Sequence, residues 1–398
     1  MDRKATFIIW AVDDFNALAL LRQLGQSTNA TILFLIIGKK RYAYRSKYCH
    51  NYIETESLEE GYEYLLGNFN NLNDKPVIFT SGDNVMVFMD SHKEELEKRF
   101  YVPGCTKKGD TTFYTDKYNM WAVAKKVGMS VPKCIQIKKS DVPSLTGILY
   151  PCIIKPSHET PGYYNEFKFM ICKNGKKFFN TMKRVRESSV FVVQELIVCK
   201  KQLLVYGCRT KSKKVIISGS MLVDRFSETG SSSHGEIQPG LHNLIEESLI
   251  EKFLDEIDYV GLFSFEFGVF DGKAYFFEIN LRNDGTSNFF FQSGSNIPLI
   301  LGYDFLNLDY DGICHKSNPG IAIDDLYDYE NVLKKRLSKR QWNDEYKDAN
   351  YFKYYDGDDV EPYAIAKAGS KKQMRIDIFL KKHRLFIVNV LSKLGLRK

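Results

Sequence analysis

Hydrophobic and polar positions fall into short alternating blocks over the first hundred residues. Residues 6–11, 31–37 and 76–80 are nearly continuous apolar runs of strand length, and between them 15–24 and 58–66 carry apolar residues at helical spacing. Strands separated by helices in this rhythm predict a small parallel α/β sheet over residues 1–110. Ligands of such sheets bind beyond the carboxyl ends of the strands. Here those ends carry Asp13 and Ser81-Gly82-Asp83. Neither G-x-G-x-x-G nor G-x-x-x-x-G-K-[ST] is present, so a dinucleotide fingerprint and a P-loop are both excluded.

The pattern then changes. Asp116-Lys117 precedes a helical run through Met120, Val123, Ala124 and Val127 that stops at Gly128. A lysine at a helix start opposes the helix dipole unless it reaches an anion, although a solvated lysine is the default reading. Three further strands are expected: 130–137, the apolar run 150–156 that ends on Lys155-Pro156, and 190–198, which is interrupted by Gln194-Glu195. A Gln-Glu pair inside an apolar strand needs partners, because buried polar groups are hydrogen-bonded.

The strongest alternation lies between Gly261 and Arg282, where two aromatic-rich runs flank Asp271-Gly272 and predict a β-hairpin. Period two puts Glu278, Asn280 and Arg282 on one face of the second strand and Phe277, Ile279 and Leu281 on the other. Glu266 lies between Phe265 and Phe267 on the first strand. A two-residue turn would set Phe270 opposite Lys273 and place Glu266 and Glu278 on opposite faces. A three-residue loop, 270–272, brings them to one face as diagonal neighbours, and that loop is the expectation. Two carboxylates and an amide oxygen suit Mg²⁺, with Mn²⁺ as a second choice. Arg282 beside them suits an anionic oxygen. An ordinary solvated sheet face shows the same alternation.

Composition narrows the field. The chain has 398 residues, 44% hydrophobic and 14% aromatic, enough for two or three domains with sizeable cores. No apolar run is long enough to span a bilayer, and the start reads as a first strand rather than a signal peptide. The eight cysteines show no paired spacing and sit mostly in apolar runs, which points to reduced thiols in the cytoplasm. Cys49-His50 and Cys314-His315 lack a second ligand pair for zinc. The net charge of +7 is confined to the tail: residues 371–398 carry +8, leaving −1 for the rest, so no nucleic-acid partner is expected. Residues 306–398 read as a C-terminal extension with a helix over 331–341 and a basic amphipathic helix over 374–396. That last helix either docks on the body or on a second copy in a homodimer, or meets an anionic membrane surface peripherally.

Asp-Lys117 before a helix, Ile-Ile-Lys155-Pro, Val-Gln194-Glu195-Leu196-Ile197 and Glu266…Glu278-Ile-Asn280-Leu-Arg282 occur in the order and spacing of the ATP-grasp superfamily. They resemble its carboxylate–amine ligase branch, near carbamoyl-phosphate synthase domains and D-alanine–D-alanine ligase, over roughly residues 75–305. The resemblance implies a pre-ATP-grasp parallel α/β domain (1–110). A two-lobed ATP-grasp domain (111–305) follows, with a lid lobe at about 118–195 and antiparallel sheets that sandwich ATP. It implies Lys117 and Lys155 on the phosphates, Gln194, Glu195, Leu196 and Ile197 at the adenine, and Gln202 as candidate ribose contact. By the same resemblance Glu266, Glu278 and Asn280 hold the metal, Arg282 steadies an acyl-phosphate, and Arg225 binds a carboxylate. The lid loop at 158–165 and the Ser/Gly-rich loop at 227–235 would border the second substrate. The implied reaction is ATP-dependent activation of a carboxylate and its joining to an amine, on small-molecule or glycan-linked substrates. Rival readings are an ATP-grasp phosphotransferase or carboxylase, or a nucleotide-binding module without catalysis.

Overall fold

The computed structural model describes residues 5–27, 29–70, 75–144, 147–157, 167, 169–183, 189–227 and 230–370. The first sheet is parallel: β1 (Ala5–Ala11), β2 (Ala30–Ile37), β3 (Asn51–Thr55) and β4 (Val77–Phe79) lie in the order β3-β2-β1-β4. Both faces of β1 are buried, Phe7, Ile9 and Ala11 in one core and Ile8 and Trp10 in another, as a parallel sheet covered on both sides requires. The helix Phe15–Leu24 is where helical spacing puts it, and Asp14 caps it by accepting from the Asn16 and Ala17 amides. β3 was not legible in the sequence. It is an outer strand with only Thr55 buried, and its polar residues carry no apolar run.

A two-residue strand β5 (Gly104–Cys105) leads out of this region and pairs with the large sheet. Next comes a four-stranded sheet built from β6 (Cys134–Lys138), β7 (Cys152–Pro156), β8 (Met170–Cys172) and β9 (Val190–Glu195), in the order β6-β9-β7-β8. It packs on the helix Gly175–Met182 around Ile154, Cys172, Phe178 and Val193, a core that draws only on this lobe.

The third layer is an eight-stranded sheet. Its path runs from β14 through β13, β10, β11, β12 and β15 to β16, with β5 joining at β13. The strands are β10 (Lys201–Arg209), β11 (Val215–Phe226), β12 (Ser232–Pro239), β13 (Tyr259–Phe270), β14 (Lys273–Asn280), β15 (Gly320–Ile323) and β16 (Tyr351–Phe352). One face, with Leu204, Tyr206, Met221 and Ile237, shares a core with Phe7, Ile9 and Phe34 of the first sheet. The other, with Phe263, Phe265, Phe267 and Ile279, packs on the helix Glu247–Glu256 through Ile250, Phe253 and Leu254. The C-terminal extension therefore contributes strands as well as helices.

The expected helix over 331–341 is two helices, Glu330–Leu333 and Lys339–Asp348. Lys335 at φ 58° breaks the run, and Ser338 restarts it by accepting from the Gln341 amide. The expected lid loop at 158–165 and basic helix at 374–396 lie outside the described residues.

Candidate active site

The hairpin β13–β14 carries the central residues, with a register that differs from the expected one. The turn has two residues, Asp271 at φ 49° and Gly272 at φ 69°, both in the left-handed region that a type I′ turn demands. Phe270 thus faces Lys273, and the ladder stays regular to Phe267 opposite Phe276. A β-bulge at Phe277 then adds one residue to β14, and Glu266 comes to lie directly opposite Glu278, with Ser264 opposite Asn280. The carboxylates meet through a bulge rather than a longer loop. Phe277 consequently leaves the buried face where strict alternation put it. Its ring covers Gly268, where a Cβ would fall 2.1 Å from the ring, and Lys155 Nζ sits 5.7 Å from the ring centroid.

Around this pair the charges are dense. Asn280 Nδ2 donates to Glu266 Oε1 at 3.1 Å and to Asp284 Oδ2 at 3.4 Å. Burial pushes the Glu266 carboxyl well above the usual glutamate range, and the neighbouring charges of Glu278 and Asp284 push it further. Lys155 is shifted down, first by burial and then by Lys117, against the pull of Glu278 and Glu266. Carboxylates crowded so that one resists ionisation form an oxygen-donor set that suits a divalent cation. Among the described residues no group of three or more His, Cys, Asp or Glu side chains gathers as a metal centre.

The two lysines are held by one small network. The helix Lys117–Lys126 is capped by Asp116, whose Oδ1 accepts from the Tyr118 and Asn119 amides at 2.9 and 3.0 Å. Asp116 Oδ2 accepts from Ser157 Oγ at 2.5 Å, and the Lys117 amide donates to the Ser157 carbonyl at 3.1 Å. Ser157 follows directly on the strand that ends in Lys155-Pro156. Capping therefore stitches the helix start bearing Lys117 to the strand end bearing Lys155. Register in the small sheet sets Gln194 opposite Ile153 and Val192 opposite Lys155, so Gln194 and Lys155 share the face turned away from that lobe's core. Glu195 ends β9, and Leu196 and Ile197 open the crossing to β10. Glu195 pairs with Lys133 through its backbone at 2.8 Å and accepts from the Lys133 amide at 3.3 Å. Gln202 stands opposite Gly268, beside the hairpin.

Arg282 is not on β14, which ends at Asn280, but in the bend beyond it. Its fork closes on Asp83, Nε to Oδ1 at 2.5 Å and a terminal nitrogen to Oδ2 at 2.8 Å, across the junction with the first sheet. Burial works against the Arg282 charge, and Asp83, Asp284 and Glu278 outweigh it. Burial likewise raises the Asp83 carboxyl, but Arg282 and then Lys117 overcome this and leave it lowered. Sequence reasoning missed Asp83 as a partner of Arg282 and missed Asp284. The one available signal was the carboxyl-end position of Asp83 after β4.

Arg225 does not join this group. It pairs with both Asp328 oxygens at 2.9 Å and with Glu345 at 2.7 Å, which ties β11 to the C-terminal extension. Asp328 is fully buried and also accepts from Ser233 and Trp342. The guanidinium expected to bind a substrate carboxylate is bonded here to two carboxylates of the C-terminal extension.

No family model matches the sequence. A D-aspartate ligase of Enterococcus faecium is 22% identical over 253 residues, which cover 58% of this chain and 58% of that protein, so the match spans little more than half of the relative. The N5-carboxyaminoimidazole synthetase of Staphylococcus aureus, solved with ADP, superposes with a TM-score of 0.65 at 13% identity, covering 86% of this chain and 87% of that one. The L-amino acid ligase of Bacillus licheniformis gives 0.59 at 11% identity, covering 76% and 75%. These neighbours are ATP-grasp proteins, and the chain has the ATP-grasp fold.

Proposed function

We propose that this protein is an ATP-dependent ligase that activates a carboxylate as an acyl-phosphate and joins it to an amine, releasing ADP and phosphate. The observation that carries the reading is the bulged hairpin, which sets Glu266 opposite Glu278 with Asn280 on the same patch and Lys155 over Phe277. The names of the neighbours support it, since one is an amino acid ligase and another was solved with ADP. The D-aspartate ligase similarity points the same way.

Lys117 and Lys155 would hold the phosphates of ATP, and Glu195 to Ile197 would border the adenine at the crossing between lobes. Gln194 lies on the same face as Lys155, and Gln202 is the candidate ribose contact. Glu266, Glu278 and Asn280 would hold Mg²⁺ or Mn²⁺, which when bound neutralises charge on the transferring phosphoryl group. The carboxylate oxygen attacks the γ-phosphorus, the bond to the β-γ bridging oxygen breaks, and ADP leaves. The amine nitrogen then attacks the acyl carbon, loses a proton, and expels phosphate. Little covalent work falls on the protein, so rate enhancement comes from positioning and preorganised charge. Arg282, already oriented by Asp83, would hold the acyl-phosphate oxygens. Water must be kept out while the acyl-phosphate exists.

Eight free cysteines suit a reducing compartment, and among the described residues no helix is long and apolar enough to cross a membrane. A carboxylase reading is kept because a biotin carboxylase domain solved with MgADP and bicarbonate is also a structural neighbour, with a TM-score of 0.59. Screening amino acids, sugar acids and bicarbonate, singly and with amines, for ADP release separates the two. Glu278→Ala should abolish substrate-dependent ADP release with the thermal transition retained. Unchanged turnover would overturn the assignment.

A further inference from the structure

The loop after β2 is built as a rigid cationic shelf. Residues 39–48 contain Lys39, Lys40, Arg41, Arg45 and Lys47, all exposed, and no acidic residue. Its backbone is pinned from below by two buried carboxylates. Asp13 accepts from the amides of Arg41, Tyr42, Ala43 and Tyr44 at 2.6 to 3.4 Å, and Asp359 accepts from the Lys47 amide at 2.9 Å and Ser46 Oγ at 2.8 Å. Outside the basic tail the chain carries a net −1, so this cluster is a local feature and not a general basicity.

Three observations define what the shelf fits. First, the ion pairs of its cations are to carboxylates, Lys40 to Glu54 at 3.1 Å and Arg45 to Glu361, while its backbone rests on the two buried aspartates. The acidic turn 356–361 of the chain itself already lies against one flank through Asp359 and Glu361. Second, the aromatic rings are covered by cations. Lys40 lies 5.5 Å from the Tyr44 centroid and 5.2 Å from Tyr52, Arg45 lies 5.8 Å from Tyr44, and Lys47 lies 5.0 Å from Tyr48. Stacking of nucleobases needs open faces, so these rings do not form a nucleic-acid platform. Third, the shelf leads straight into β3, the outer strand of its sheet, whose Asn51, Tyr52 and Glu54 are exposed. An outer strand offers main-chain donors and acceptors that an extended peptide can pair with.

We infer that the shelf and the β3 edge together form a docking surface for a carboxylate-rich peptide segment in extended conformation. Main-chain pairing along β3 orients the segment, and Lys39, Arg41 and Lys47 meet its side-chain carboxylates. The shelf runs from the carboxyl end of β2 back to the amino end of β3, and β3 lies three strand spacings (~14 Å) from β4 across the first sheet. This inference stands apart from the ligase reading, because it is read by direct binding without ATP.

The test uses the full chain and fluorescein-labelled poly-L-glutamate, followed by anisotropy at low and high salt. The triple variant K39Q/R41Q/K47Q leaves the Lys40–Glu54 and Arg45–Glu361 pairs in place and should keep its thermal transition. It should weaken binding about tenfold, the sum expected for three exposed charge contacts. A tail variant, K381Q/K382Q/R384Q, controls for the other basic region and should bind within about twofold of the parent, because those three charges are not part of the proposed surface. Bound poly-L-glutamate should slow hydrogen exchange of the 51–55 amides. The proposal is overturned if the shelf variant binds like the parent, or if only the tail variant loses binding. It is equally overturned if polygalacturonate or an oligo(dT) strand binds the shelf more tightly than poly-L-glutamate, or if the 51–55 amides stay unprotected.

Discussion

Glu266 shows how one residue's surroundings set its chemistry. Its burial and the facing Glu278 hold its carboxyl above the usual value of 4.5, so the folded protein retains a proton that the unfolded chain has released. Stability must then fall as pH rises above that value, because the unfolded state binds fewer protons than the folded one. Thermal unfolding followed from pH 4 upward should show this decline, and Glu266→Gln should flatten it. Added Mg²⁺ should raise the transition most at the high-pH end, where the carboxylate must otherwise carry its charge unaided. A parent profile that matches the Gln variant at every pH would remove the electrostatic argument for a cation at this place. That Glu266 and Glu278 share a face was expected from the sequence only through a three-residue loop, and the structure brings them together through a bulge instead. That Asp284 joins them was not legible there, because it lies past the strand end, where alternation no longer places side chains.

At the scale of the element, the hairpin depends on one extra residue. Asp271-Gly272 was recognisable as a turn, and a regular ladder built on it would have separated the two glutamates. The bulge at Phe277 restores their pairing, and such bulges leave no local signature because they answer to packing. Here the packing partner is Gly268, whose missing side chain makes room for the Phe277 ring. Gly268→Ala should force that ring off its seat, costing about 1–3 kcal/mol in urea denaturation as overpacking does. It should also reduce ADP release more than substitution at an exposed strand position such as Lys273. A variant that unfolds at the parental urea midpoint and turns over normally would show the ring to be replaceable. The helix start at Lys117 is the opposite case. Asp116 as a cap could be read from sequence, and only its second oxygen, bound to Ser157, required the fold.

At the scale of the molecule, three layers are joined with unequal firmness. The first sheet and the large sheet share a continuous apolar core, while the lobe of β6 to β9 keeps its own. That lobe joins the rest through the stretches near 127–133 and 196–200 and through Ser157, which bonds Asp116 and the Lys117 amide. The C-terminal extension is fastened by strand pairing at β12–β15 and by buried charge. Arg22 is fully buried, with Nε at 3.0 Å from Asp359 Oδ2 and a terminal nitrogen at 3.0 Å from the Asp359 carbonyl. Arg22→Met leaves Asp359 buried without its cation and should destabilise by about 3 kcal/mol, the scale for breaking a buried pair. The loss should be visible in the denaturation midpoint and in faster proteolysis near 356–361. Midpoints equal within error would show that the extension is held by its strand pairing and aromatic contacts instead.

Residue order alone determined the layer types and the chemistry of the hairpin, because periodicity, capping residues and turn residues act over a few positions. It also determined which lysines stand at a helix start and a strand end. Tertiary structure decided the pairings that span long separations: Arg282 with Asp83, Arg225 with Asp328, and Glu266 directly across from Glu278. Each joins groups whose meeting depends on how whole elements pack, so an identical guanidinium serves a candidate site in one place and anchors a strand in another.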